Sequence, residues 1–353
     1  MRGEWNALVP TAQAFGIRGV HEWSQTSAYR LDRVQNRLDW LRAQLEARGW
    51  QGSASLTPPP TATATVALNG ALEPHLADKT FGVEIECIFP RGLSRSQLAE
   101  KLTQAGIQTT VETWNHTTRT WWKITTDSSL NHDRGYEIVS PVLKGQDGID
   151  EMCKVLKLID DAGCTVTKKC GFHCHVGAAN RPLAFWKSLL TLYGHYEPAI
   201  DTITAPSRRR SVNDYCRSTA SQLKMEQRKA AIEAATTVPM LAHAYQGQIG
   251  RTEVGQGYNN TLHRFYKLNM AAFWRHQTVE FRQHQGTVNA DKAKQWVILC
   301  LRMVAAAEIG LAPNGEPVTL QSFASMLSLP AADLAFWQQR AVELTRVINA
   351  ERR

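Results

Sequence analysis

Apolar residues recur along this chain with two periods, and each period assigns an element. Spacings of three and four mark one face of a helix, and strict alternation marks a strand with two unlike faces. Leu31, Val34, Leu38, Leu41 and Leu45 keep helical spacing, with Arg33, Arg37, Arg42 and Arg48 on other faces. Before them, Ala14-Phe15-Gly16-Ile17-Arg18-Gly19 reads as a turn between two helices, so residues 1–50 are expected to form a small helical module. Residues 51–79 lose the period. Pro58-Pro59-Pro60 and the Thr/Ala alternation from Thr61 to Ala67 have little to bury, which predicts a semi-extended linker.

Residues 80–353 read as one larger domain in which strands and helices follow one another. Strands are expected over Phe81–Phe89, Trp121–Thr126, Gly135–Val139, Cys164–Val166, Gly171–Val176, Leu262–Met270 and Thr278–His284. Helices are expected over Arg95–Gly106, Ile149–Ala162, Leu183–Thr204, Asn213–Thr236, Lys292–Ile309 and Ala331–Asn349. Strands able to pair as neighbours, with helices inserted in blocks, predict an α+β fold built on an antiparallel sheet.

Three of these strands carry their chemistry on one face. Phe81, Val83, Ile85 and Cys87 alternate with Gly82, Glu84 and Glu86; Phe172, Cys174 and Val176 alternate with His173 and His175. Val279 and Phe281 alternate with Glu280, Arg282 and His284. A solvated sheet face would satisfy the same alternation, but it usually mixes Lys, Thr and Ser with both charge signs. Neighbouring carboxylates repel unless a cation lies between them. Hard oxygen ligands suit magnesium or manganese, and the planar fork of arginine suits a phosphoryl group.

Composition narrows the classes. The chain is 43% hydrophobic and 20% charged, ordinary for a globular protein, and no apolar run approaches the roughly 18 residues of a membrane span. Arg2, Glu4, Arg18, His21 and Glu22 interrupt the first segment, which excludes a signal-peptide core and leads us to expect a cytoplasmic protein. Seven cysteines without a CxxC pair read as reduced thiols. The formal charge of +8 favours anionic partners, nucleotides and nucleic acid among them.

A zinc site at Cys170, His173, Cys174 and His175 is the rival for the histidine strand. Alternation turns Cys174 away from both histidines, and one short strand cannot wrap four ligands round a tetrahedral ion. Neither the GxxxxGK[ST] nor the GxGxxG phosphate loop is present, and the glycines of 247–257 fit neither spacing. That stretch reads as a mobile loop and a candidate flap over the site.

Five ordered blocks carry a resemblance. They are Phe-Gly-Val-Glu-Ile-Glu at 81–86, Trp-x-x-x-x-Asp-x-Ser-Leu at 122–130, Gly-x-Glu-Ile-Val-Ser-Pro-x-Leu-x-Gly at 135–145, Cys-Gly-x-His-x-His-Val at 170–176 and Val-Glu-Phe-Arg-x-His-x-Gly-Thr at 279–287. In this order the chain resembles the amidoligase family of the glutamine synthetase-like carboxylate–amine ligase superfamily, over residues 80–310. The resemblance implies a curved antiparallel sheet, helices on its outer face, and a concave face that binds ATP and Mg2+ or Mn2+.

By the same resemblance, Glu84, Glu86, Glu137, Glu280 and His175 are the expected metal ligands. His173, His175, Arg264, Lys267, Asn269 and Arg282 are the expected contacts to nucleotide or substrate. Arg282 holds the transferred phosphoryl group, and Asp127 is the candidate base for the amine. Where relatives often have Asp-Gly-Ser, this chain has Asp127-Ser128-Ser129. The implied activity is ATP-dependent amide or isopeptide formation from a carboxylate and an amine, through an acyl phosphate. Two alternatives stay open: a zinc-dependent hydrolase using the HxH strand, and a binding protein with an inactive ligase fold that contacts nucleic acid or a protein partner through residues 1–50.

Overall fold

The computed structural model describes Leu41 and Leu45 and residues 73–130, 132–247, 263–313 and 315–351. All of the expected helical module but Leu41 and Leu45, most of the linker and nearly all of the glycine-rich stretch lie outside these residues.

The described chain opens with a short helix, α1 (Pro74–Ala77), before β1 (Thr80–Ile88). Leu76 is buried in the core and Glu73 pairs with Arg302 at 2.5 Å, so residues 73–79 belong to the folded unit rather than to a linker. Helix α2 (Arg95–Gln104) starts at a capping box, in which Ser94 and Gln97 satisfy each other's backbone N–H groups. Then come β2 (Thr109–Val111), β3 (Trp122–Thr126), β4 (Gly135–Val139), β5 (Leu143–Lys144) and α3 (Gly145–Asp161). Helix α3 buries Ile149, Met152, Val155, Leu156 and Ile159, the face its spacing predicts, and stops before Gly163 at φ 79°.

Strand β6 (Phe172–Gly177) leads into α4 (Leu183–Ile203). The helical stretch expected over Asn213–Thr236 is broken into α5 (Thr219–Leu223) and α6 (Glu226–Ala234), followed by α7 (Val238–Gln246). Strand β7 (Leu268–Asn269), α8 (Phe273–His276), β8 (Thr278–Phe281), α9 (Ala290–Glu308), α10 (Leu320–Met326) and α11 (Ala331–Glu351) complete the described order.

The strands form one mixed, open sheet in the order β2-β3-β4-β1-β6-β8-β7, with β5 paired to β1. Each pairing is antiparallel except β2 with β3, which is parallel at the edge. The expected antiparallel α+β sheet therefore stands, with one parallel edge pair. Two expected strands shrink. Cys164–Val166 reduces to a single bridge from Thr165 to Ile88, and of Leu262–Met270 only β7 pairs as a strand.

The apolar residues of β1, β3, β6 and β8 enter one continuous core with α3, α4 and α9. Helix α9 contacts β6 and packs on both α3 and α4. One sheet face is thus sealed by helices, and the polar residues are left on the other.

Candidate active site

Pairing register arranges the polar face as a grid. Gly82, His175, Glu280 and Asn269 lie opposite one another across β1, β6, β8 and β7. Val139, Glu84 and His173 form the next row, and Thr125, Glu137 and Glu86 the third. A cavity of about 870 Å³ lies over this face, lined by Glu84, Glu86, Glu137, His173, His175, Glu280 and Arg282 among others. Asp127, Arg264 and Asn269 line it too.

His173 sits at the centre of the grid. Its Nδ1 is 2.9 Å from Glu84 Oε2 and 3.6 Å from Glu280 Oε1, while its Nε2 is 3.6 Å from Glu86 Oε1. Two overlapping groups have donor atoms within 4.8 Å of one another: Glu84, His173 and Glu280, and Glu86, Glu137 and His173. The resemblance implies a metal role for His175 beside the glutamates. His175 lies in neither group; it sits one row from Glu84 and two rows from Glu86 and Glu137. Its Nε2 approaches Glu84 Oε1 at 3.3 Å, and that buried nitrogen has no hydrogen-bond partner, while Nδ1 meets the Thr278 hydroxyl at 3.0 Å.

The carboxylates differ in electrostatic state. Burial alone would raise the Glu84 pKa, but the hydrogen bond from His173 and the close approach of His175 hold it well below the usual range. Glu280 is held down against burial by Arg282, then by His175. Glu137 moves the other way, pushed well up by burial and by Glu84, Asp127 and Glu86. Carboxylates crowded in this way repel one another, and a cation between them relieves that repulsion. Cys174 is buried in the core on the opposite face, and neither it nor Cys170 belongs to a donor group. The donors are thus mainly hard oxygens, which suit magnesium or manganese better than zinc.

Arg282 pairs with Glu280 and extends Nε towards Tyr215 O at 3.3 Å. Its pKa is raised, because Glu280, Glu84 and Glu86 outweigh burial. Asp127 follows β3, half-buried, with Oδ1 accepting from Ser129 N at 2.7 Å. Arg264 stacks its guanidinium 5.2 Å from the Phe265 ring.

Lys267 stands apart. It does not line the cavity; its ammonium is fully buried against Glu197 at 2.9 Å and Asp201 at 2.6 Å. Its backbone carbonyl accepts from Arg282 N at 2.8 Å, so its connection to the site runs through the main chain. His284 also departs from the expected face. Strand β8 ends at Phe281, and His284 turns into the core against Phe172 and Trp296, where burial lowers its pKa to about 3.

Lys123 lines the cavity and is not among the expected site residues. It alternates with Trp122 and Ile124 and so shares the face of Glu137. Its ammonium binds Asn115 O, Asn115 Oδ1 and Thr117 O at 3.0–3.1 Å, which pins the segment between β2 and β3. Glu112 gathers that segment from the other side through Arg119, Asn115 and Trp121. The pinned segment reaches His276, whose Nδ1 lies 3.3 Å from the Thr118 hydroxyl. Alternation along β3 was sufficient to find Lys123; nothing in the sequence marked Glu112 or His276.

An open sheet with carboxylates, imidazoles and an arginine gathered under one cavity is consistent with a ligase-type enzyme. The chain belongs to the family described as "Putative amidoligase enzyme", which its residues 77–304 match, well over half its length. Among solved structures it is similar to one titled "Crystal structure of novel glutamine synthase homolog", at 14% identity and a TM-score of 0.35, covering 76% of this chain and 67% of that one. No curated protein sequence matches the chain. No helix among the described residues is long and apolar enough to cross a membrane.

Proposed function

We propose that this protein is an ATP- and divalent-metal-dependent carboxylate–amine ligase. The observation that carries the reading is the convergence of Glu84, Glu86, Glu137 and Glu280 around His173, with Arg282 beside them. Glu84, Glu280 and His173 would hold one divalent cation, and Glu86 and Glu137 with His173 offer an overlapping position. The orphaned Nε2 of His175 and the crowded Glu137 carboxyl both fit an arriving cation or phosphate.

Magnesium-bound ATP, when present, supplies the activating phosphoryl group: the acid's oxygen takes the γ-phosphoryl, ADP leaves, and the amine later displaces phosphate to give the amide. Arg282 neutralises charge on the transferring group with its planar fork. Asp127, at the Glu137 end of the cavity, accepts the proton that the ammonium form of the amine must lose before its nitrogen attacks. The grid sets Glu84, Glu86, Glu137, Glu280 and His173 in register, so on this reading positioning and electrostatics supply most of the rate.

We place the reaction in the cytoplasm, where ATP is at hand and the seven thiols stay reduced. Residues 1–50 are proposed as a separate module, tethered to the catalytic unit and available to a protein or nucleic-acid partner. The full chain should release ADP only when an acid, an amine and magnesium are all supplied, read by mass spectrometry over a broad substrate panel. ADP formation indifferent to the amine would refute the ligase reading.

A further inference from the structure

Glu280 is aimed by a relay of two buried amides. Asn269 Nδ2 donates to Glu280 Oε2 at 2.7 Å, and Gln246 Nε2 donates to Asn269 Oδ1 at 2.8 Å. Gln246, Asn269 and Glu280 are all nearly or fully buried, at 0%, 2% and 4% exposure, so water does not compete for these contacts.

An amide can present either its oxygen or its nitrogen, and here the main chain decides which. Met270 N donates to Gln246 Oε1 at 2.9 Å, which fixes the Gln246 oxygen and leaves its Nε2 to face Asn269 and His263 O at 2.8 Å. Ala271 N donates to Asn269 Oδ1 at 2.9 Å, so that oxygen accepts twice and Nδ2 must point at Glu280. The outcome at Glu280 is a one-sided carboxylate. Oε2 is occupied by the relay, and Oε1 alone faces His173 at 3.6 Å, His175 at 3.8 Å and Arg282. One N–H of the Asn269 amide is thus committed to Glu280. Gln246 lies outside the cavity lining, at the end of α7, and a turn at Gly247 with φ 68° follows it.

We infer that Gln246 is a positioning residue for the metal site, acting through Asn269 to make Glu280 a single-oxygen ligand. The inference rests on the proposed metal role of Glu280. Removing the Gln246 donor leaves the Asn269 oxygen held by Ala271 N alone, which weakens the aim of Nδ2 and opens the way to a flip that would put an oxygen against the carboxylate. Groups that orient metal ligands in this way typically affect affinity by about 10–100-fold.

The test is Mn2+ affinity of the full chain, measured by electron paramagnetic resonance beside a thermal melt. Gln246→Leu and the shape-preserving Gln246→Glu, which keeps an acceptor for Met270 N, should each weaken Mn2+ binding by about 10–100-fold. In an Asn269→Ala background, Gln246→Leu should add almost nothing, because its route to Glu280 is already cut. A merely structural Gln246 would add its full effect there. Wild-type affinity in either folded Gln246 variant, or additive losses in the double variant, would overturn the inference. A wild-type chain that binds no Mn2+ would overturn it together with the metal reading beneath it.

Discussion

The two halves of the site wall are held by different means. On the side of β4, β1 and β6, an unbroken backbone ladder fixes each side chain, and Glu137, Glu86, Glu84 and His173 take their places from register alone. On the side of β8 and β7, the ladder is two to four residues long and buried side chains do the holding. Lys267 bonds Glu197 and Asp201, and Gln283 bonds Tyr193 and, at 2.6 Å, Asp201. Tyr245 binds Leu268 O at 2.8 Å and Gln246 binds Asn269. Arg282 is fixed between Lys267 and Gln283, and Glu280 by Asn269. The contrast teaches where function and stability separate: a ladder survives loss of a side chain, whereas a buried polar network does not.

Glu84→Ala should abolish turnover, by about a thousandfold or more in kcat, since a lost cation ligand removes several kcal/mol of charge stabilisation. Its melting temperature should stay near wild type, because β1 keeps its ladder. Turnover at the wild-type rate would remove Glu84 from the site, and a collapsed fold would erase the contrast. Lys267→Met, on the other half, should cost about 3–5 kcal/mol in denaturant unfolding, because Glu197 and Asp201 would be left without their cation. An unchanged unfolding midpoint would show that the network does not hold this half.

Arg282→Lys should lower kcat/KM by about a hundredfold with a smaller change in stability, because a point charge cannot replace the fork. Full activity in that variant would refute its phosphoryl role. The smallest effect concerns His284, neutral in the folded core with a pKa of about 3 against about 6.5 unfolded. The unfolded chain then binds a proton that the folded chain refuses, so stability falls as pH drops from about 6.5 towards 3. The limiting slope is about 1.4 kcal/mol per pH unit. His284→Gln should flatten that slope in melts at stepped pH, and an identical slope would place the titration elsewhere.

The same contrast explains what could be read from the sequence. Alternation at Phe81–Cys87 and Phe172–Val176 fixed both faces of β1 and β6, because a strand with a core on one side must put every second residue on the other. It would also have found Lys123. It failed past Phe281, where β8 ends and pairing resumes only at the Gly171–Gln285 bridge, with His284 turned inward between them. The Lys267 contact, which came from the resemblance, gives way to its burial against Glu197 and Asp201. Those partners come from a helix some 66 and 70 residues away, and Gln246 from another, with no period linking them. The choice between His173 and His175 likewise depended on register, which fixes the diagonal neighbours of a residue and cannot be read from one strand.

Calorimetric titration of the full chain with a non-hydrolysable ATP analogue, with and without magnesium, addresses the cation site most directly. Binding should require magnesium in the wild type and vanish in Glu84→Ala and Glu280→Ala, both still folded. Binding that ignores magnesium, or that persists unchanged in both variants, would contradict the assignment of these carboxylates.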